Sequence, residues 1–256
     1  MSIIKKANVV FIGDSLTYGV GDTSGQFGYT GRVEKTLRRN HKGVDFSFEN
    51  FGKPGDRSDQ ILTRINSSKY IQKKLSQANI IVLTVGGNDL RQYLLRNISI
   101  SSQEQLNNGV KEQSQIYKRS LRNLFDKIRA LNNKSSIFIF GNYNPFFVYL
   151  AQRRDLNDDV VQFNSINSSL SEYDQQKKTF YISIFRKLTF GQFQTRSQIE
   201  ALIERDQDSR SILNNNDEIK NNLISTSDNF HPNNKGYDYM AKSLYSMIEK
   251  RFSWQK

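Results

Sequence analysis

The chain contains no cysteine. That absence excludes disulfides, thiolate metal sites and a cysteine nucleophile together. Histidine is scarce as well, with only His41 and His231 in 256 residues, so any imidazole chemistry has two addresses. No stretch approaches the ~18 consecutive apolar residues that mark a membrane-spanning helix. The segment from Met1 to Val10 runs almost directly into an apolar strand and lacks the apolar core of a secretory signal. The compartment is left open between cytoplasmic and, if an anchor has been trimmed, extracytoplasmic. Internal repeats, domain-dividing linkers and a phosphate-cradling Gly-x-x-x-x-Gly-Lys pattern are all missing.

Acidic residues are in deficit, 25 against 37 Lys and Arg, for a formal charge of +12. The basic residues are dispersed, the densest knots being Arg38-Arg39 and Lys177-Lys178, which predicts a solvated basic surface and no nucleic-acid strip. Peripheral contact with an anionic surface stays compatible with this charge. With 17 Phe and 12 Tyr the chain has ample material for one core, and its length suits a single domain over 1–256.

Short apolar runs alternate with longer helical patterns, the rhythm of a parallel α/β sheet. Five strands are predicted, over Asn8 to Ile12, Val44 to Phe48, Ile80 to Val85, Ser136 to Phe140 and Thr179 to Ser183. Helices are predicted over Gly28 to Arg39, Ser58 to Lys74 and Gln103 to Asn132, and after Pro232, where Tyr237, Met240, Ala241, Leu244 and Ile248 form a buried stripe. Proline at the first helical position would mark that last start. Two stretches, about 142–178 and 184–227, exceed what the sheet connections require and are read as insertions and candidate lids, the second with a helical pattern near Ser197 to Arg205 and an Asn-rich turn at Asn214 to Asn216.

Four polar constellations fall at predicted strand ends or beside a helix start. Gly13-Asp14-Ser15-Leu16 follows the first strand and is either a turn with a helix cap or an exposed nucleophile whose amide shares the crevice. Gly52-Lys53-Pro54-Gly55-Asp56-Arg57-Ser58 follows the second; the Gly55 amide is an oxyanion donor, or the segment is a turn capped by Asp56 or Ser58. In Gly86-Gly87-Asn88-Asp89 the Asn88 amide can meet a developing negative charge, or the pair makes a turn. Asp228-Asn229-Phe230-His231-Pro232 supplies the remaining imidazole, since a helix terminus accounts for His41, and Asp228 stands three residues from His231, within reach of its ring.

Taken in order, these blocks resemble the GDSL or SGNH hydrolases. Gly13-Asp14-Ser15-Leu16 is similar to the nucleophile block, Gly55 to the oxyanion glycine, Gly86-Gly87-Asn88-Asp89 to the asparagine block, and Asp228 with His231 to the closing Asp-x-x-His block. Asn50, five residues earlier, selects Gly55 over Gly52. Gly141 to Phe146 and His231 to Tyr237 further resemble the YpmR-like branch of lipases and acylhydrolases, whose members often carry an N-terminal anchor or signal, a pattern from which this sequence departs. The resemblance implies a flavodoxin-like three-layer α/β/α sandwich with a five-stranded parallel sheet of order 2-1-3-4-5. It also implies a serine esterase using a Ser15, His231 and Asp228 triad, with the Ser15 amide, Gly55 and Asn88 around the oxyanion, and neither metal nor cofactor. The expected substrate is a lipid or other acyl ester, with a carbohydrate O-deacetylase or a non-catalytic glycan- or lipid-binding module as alternatives. Tyr143, Phe146 and Phe147, in the aromatic run after the fourth strand, are candidate substrate contacts, or packing.

Overall fold

The computed structural model describes residues 6–97, 99, 102–174, 178–208 and 220–253. Five parallel strands form one sheet in the order 2-1-3-4-5: β1 (Lys6–Gly13), β2 (Asp45–Gly52), β3 (Ile80–Thr84), β4 (Ser136–Phe140) and β5 (Thr179–Ile182). This is the fold class expected. Successive side chains of a strand point to opposite faces, and the two cores divide accordingly. Val9, Phe11, Ile80, Val82, Phe138 and Phe140 face one side, with α2 (Gly28–Asn40) and α10 (Asn234–Arg251). Val10, Ile12, Ile81, Leu83, Ile137 and Ile139 face the other, under α3 (Ser58–Ser67), α4 (Lys69–Ser76), α6 (Gln103–Leu131) and α7 (Arg154–Tyr173). Every residue of β3 and β4 is buried, so these strands are continuous apolar runs, as double coverage requires. Each fully buried Ile or Val contributes about 1.5–3 kcal/mol by leaving water.

Several boundaries differ from expectation. β2 runs four residues past Phe48, to Gly52, because its whole length pairs with β1. The helix predicted over Ser58 to Lys74 is two helices, broken at Ser68, whose backbone is extended and whose hydroxyl accepts the Ile71 amide to cap α4. Pro232 is not the first residue of α10. It forms an antiparallel bridge with Ile224, and the cap is Asn233, whose side chain accepts the Gly236 amide. The first supposed insertion is mostly α7, the crossover helix that packs on β4, β5 and α6, preceded by the loop from 141 to 153; residues 175–177 of it lie outside the described residues. The second contains α8 (Phe185–Phe190) and α9 (Arg196–Asp208); the Asn214 to Asn216 turn lies outside the described residues. No helix among the described residues is long and apolar enough to cross a membrane.

The chain reverses direction across the sheet between β1 and β3, and a parallel sheet opens its ligand crevice at the carboxyl ends of the strands flanking such a point. β1 leads into a single turn, α1 (Ser15–Tyr18), and β3 leads into α5 (Gly87–Arg96).

Candidate active site

Ser15 opens α1 directly after Gly13 and Asp14. Gly13 approaches β3 so closely that a Cβ there would overlap Thr84, which explains the glycine. Asp14 caps α1 by accepting the Leu16 amide at 3.0 Å and the Thr84 hydroxyl at 2.8 Å. Burial pushes the Asp14 carboxyl above its ordinary value, against the Thr84 and Leu16 hydrogen bonds and the attraction of His231. The hydroxyl chain extends inward from Thr84 to Thr17 and on to Tyr29, each step 2.8 Å. Each hydroxyl has one hydrogen, so an ionised Asp14 orders the chain, with Tyr29 donating to Thr17, Thr17 to Thr84 and Thr84 to Asp14.

The turn before α10 supplies the imidazole. Asn229 adopts a left-handed backbone (φ 51°), and Asp228 Oδ1 accepts the amides of Phe230 and His231 at 2.9 and 3.0 Å. The other carboxylate oxygen lies 2.6 Å from His231 Nδ1, and His231 Nε2 lies 2.9 Å from Ser15 Oγ. Burial would raise the Asp228 carboxyl, but the imidazole and the two amides outweigh it and hold it below its ordinary value. Tyr143 steadies the turn from outside by donating its hydroxyl to the Phe230 carbonyl at 2.8 Å. His41 lies elsewhere, paired with Glu249 at 2.8 Å.

Asn88 stands in the first turn of α5, behind Gly86, whose φ of 107° suits glycine and where a Cβ would strike Tyr117. One Asn88 Nδ2 hydrogen goes to the Asp56 carbonyl at 3.1 Å, leaving the second for a ligand. Gly55, in the same loop as Asp56, has a φ of 85° and is fixed through its carbonyl by Gln92 Nε2 at 2.7 Å. It is solvent-exposed and does not line the cavity beside Ser15. Arg64 ties this loop to the strand ends, reaching Asp56 Oδ2 at 2.5 Å and the Phe51 and Gly13 carbonyls at 3.1 Å. The α3 cap is neither Asp56 nor Ser58; Arg57 holds that position, with Gln60 Oε1 on its amide.

A cavity of about 430 Å³ opens beside Ser15 and Asn88, within the ~300–1,000 Å³ of small-molecule sites. Leu90 and Leu94 of α5 face Leu156, Val160 and Phe163 of α7 along it, with Leu106 of α6 also in the wall. Tyr143 and Phe146 line the wall too, but Phe147 does not: it is buried with Ala151 and Leu202 and packs edge-on against Phe190. The expectation for Phe147 is therefore corrected to packing, because the loop turns it inward under α8 and α9. The α5 and α7 wall was overlooked. Its signal is the four-residue interval of Leu90 with Leu94 and of Leu156 with Val160, which places each pair on one helix face. The described residues hold no group of His, Asp or Glu able to bind a metal.

Known proteins match this chain in sequence and in shape. It is 29% identical over 242 residues to the uncharacterized protein YpmR of Bacillus subtilis, covering 94% of this chain and 81% of that one. Over 53% of this chain and 63% of the relative it is 27% identical to the spore germination lipase LipC of Bacillus licheniformis. The lipase Lip_vut3 from a goat rumen metagenome superposes with a TM-score of 0.69 at 20% identity, over 94% of this chain and 96% of that one. The acetylxylan esterase Axe2 of Geobacillus stearothermophilus superposes with a TM-score of 0.58 at 17% identity, over 100% and 99%. At these identities the two structures speak for the fold alone. The model of the GDSL-like lipase/acylhydrolase family matches residues 11–239, and the chain belongs to that family.

Proposed function

We propose that the protein is a serine esterase acting on acyl esters through a covalent acyl-enzyme. The observation that carries this is the relay from Ser15 Oγ to His231 Nε2 at 2.9 Å and from His231 Nδ1 to Asp228 at 2.6 Å. His231 takes the Ser15 proton as Oγ attacks the ester carbonyl, and Asp228 holds the ring with Nδ1 protonated and stabilises the imidazolium. The tetrahedral oxyanion is met by the Ser15 amide at the start of α1 and the free Asn88 hydrogen; the Gly55 amide, outside the cavity lining but in the loop that Asn88 holds through the Asp56 carbonyl, is the third donor. Collapse expels the alcohol, which takes the proton from His231; water, activated by the same imidazole, then releases the acid. The mechanism requires neither metal nor cofactor.

The acyl chain lies in the apolar cavity between α5 and α7, with Tyr143 and Phe146 at its wall. A cavity of this character favours a chain of several carbons over acetyl, because each buried methylene contributes ~0.8 kcal/mol. Hydrolysis of p-nitrophenyl esters from acetyl to dodecanoyl tests both parts. The expected kcat/KM rises from acetyl to octanoyl, and Ser15→Ala and His231→Ala each abolish turnover. An acetyl preference would overturn the acyl-chain assignment, and full activity in either variant would overturn the catalytic one.

A further inference from the structure

Two arginines line the cavity, and their electrostatic settings differ. Arg153 is neutralised by Asp155, with Nε at 2.9 Å and Nη2 at 2.7 Å from its carboxylate. Arg91 has an aromatic ring where Arg153 has a carboxylate: its guanidinium carbon lies 4.9 Å from the centroid of Phe230. A ring face orients a cation without cancelling its charge. Phe230 is fixed in turn, 5.9 Å from the Phe146 ring and edge-on to His231 at 4.8 Å. Among the described residues Arg91 therefore presents a charge with no carboxylate partner at the rim of the cavity, one helical turn beyond Asn88 on α5.

An ester bound at Ser15 has two arms. The apolar wall between α5 and α7 suits the acyl arm, which leaves the rim of Arg91 and Phe230 for the alcohol. We infer that Arg91 determines specificity by pairing with an anionic group on the alcohol, a phosphate or a carboxylate, so that the preferred substrates are acyl esters of anionic alcohols. The inference rests on the esterase reading above. The planar guanidinium fork matches either group through two parallel hydrogen bonds, and its contact with Phe230 is to the ring, which is no carboxylate competitor for that fork. Because the site is exposed, added salt weakens the attraction.

The test is steady-state kinetics of the full chain on octanoyl esters of glycerol, glycerol 3-phosphate and glycerate, at low and high salt. At least one anionic ester is expected to exceed the glycerol ester in kcat/KM by about tenfold, the worth of one charge-assisted pair, through KM and less so in high salt. The comparison of phosphate with glycerate identifies the group. Arg91→Gln brings the ratio towards one and Arg91→Lys retains part of it. Equal kcat/KM for all three esters, a preference that survives Arg91→Gln, or an equal loss on all three in that variant would each overturn the role. Hydrolysis of the glycerol ester by Ser15→Ala overturns the esterase reading itself, a wild type without charge preference overturns only this inference, and a wild type that cleaves none of the three overturns both.

Discussion

One Asp228 oxygen shapes the turn through two amides while the other holds the imidazole. Asp228→Asn separates these duties. An amide nitrogen facing His231 Nδ1 would reverse the tautomer, leaving Nε2 protonated and unable to accept from Ser15, and turnover of p-nitrophenyl octanoate is expected to fall about 10³–10⁴-fold with an unchanged circular dichroism spectrum. The carboxyl is held below its ordinary 3.8, so the orienting charge is present above that value and lost only as pH falls through the lowered one. Removing the Asn88 donor by Asn88→Ala should cost about 10²–10³ in kcat, read on the same ester. At this scale the sequence was informative wherever a residue type was scarce or sat at a strand end: two histidines left one candidate base, and Ser15 and Asn88 follow buried strands. It was silent on Phe147, because a loop has no period to say which aromatic turns inward. It was equally silent on Arg91, one of many dispersed basic residues.

The blocks after β2 and β3 are joined by a buried carboxylate. Asp89, beside Asn88 on α5, accepts both the backbone amide and the hydroxyl of Ser58, at 3.0 and 2.5 Å, and so caps α3 from another helix. Burial pushes its carboxyl up to about 6, with the Ser58 hydrogen bonds opposing. Unfolded Asp89 ionises near 3.8 and the folded form near 6, so folding takes up a proton between these values and stability falls as pH rises through that window. The ceiling of the effect is about 3 kcal/mol. Urea unfolding from pH 4 to 7 should show the decline, and Asp89→Asn should flatten it in part; Asp159, also raised to about 6 by burial and by Asp155 and Asp158, and Asp14, raised by burial, retain the remainder. Element types and order were readable from apolar runs and helical intervals, whereas ends were not. Ser68 and Asn233 became caps because of what the chain does next, and a cap in trans such as Asp89 leaves no local pattern.

Across the whole molecule, the sheet separates stability from chemistry. At the end opposite Ser15, buried Arg129 joins Asp174 at 2.9 Å, the Ser135 carbonyl at 2.8 Å and the Thr179 hydroxyl at 2.7 Å, binding the starts of β4 and β5. Arg129→Met removes the cation paired with buried Asp174, which keeps the Thr179 hydroxyl, and should cost about 3–5 kcal/mol, seen as a lower urea midpoint, while kcat of the folded fraction is unchanged. The strand order was legible only through the family resemblance, since apolar runs do not state their neighbours. The turn that carries Asp228 and His231 has a consequence at this scale too. Its two sides are tied by hydrogen bonds from Ser225 to His231, from Asn229 to Ser225 and from Asn233 to Leu223, so the carboxylate and the imidazole of the proposed triad ride on one small closed loop. The proposed nucleophile, Ser15, is 216 positions away in the chain and meets the imidazole through one 2.9 Å contact, while the segment after it is tied to α10 by Tyr237 on the Val20 carbonyl at 2.6 Å. Because the site joins two distant segments, mild denaturant is expected to part Ser15 from His231 before the Asp228 and His231 loop opens, so esterase activity should fade at a lower urea concentration than helical ellipticity.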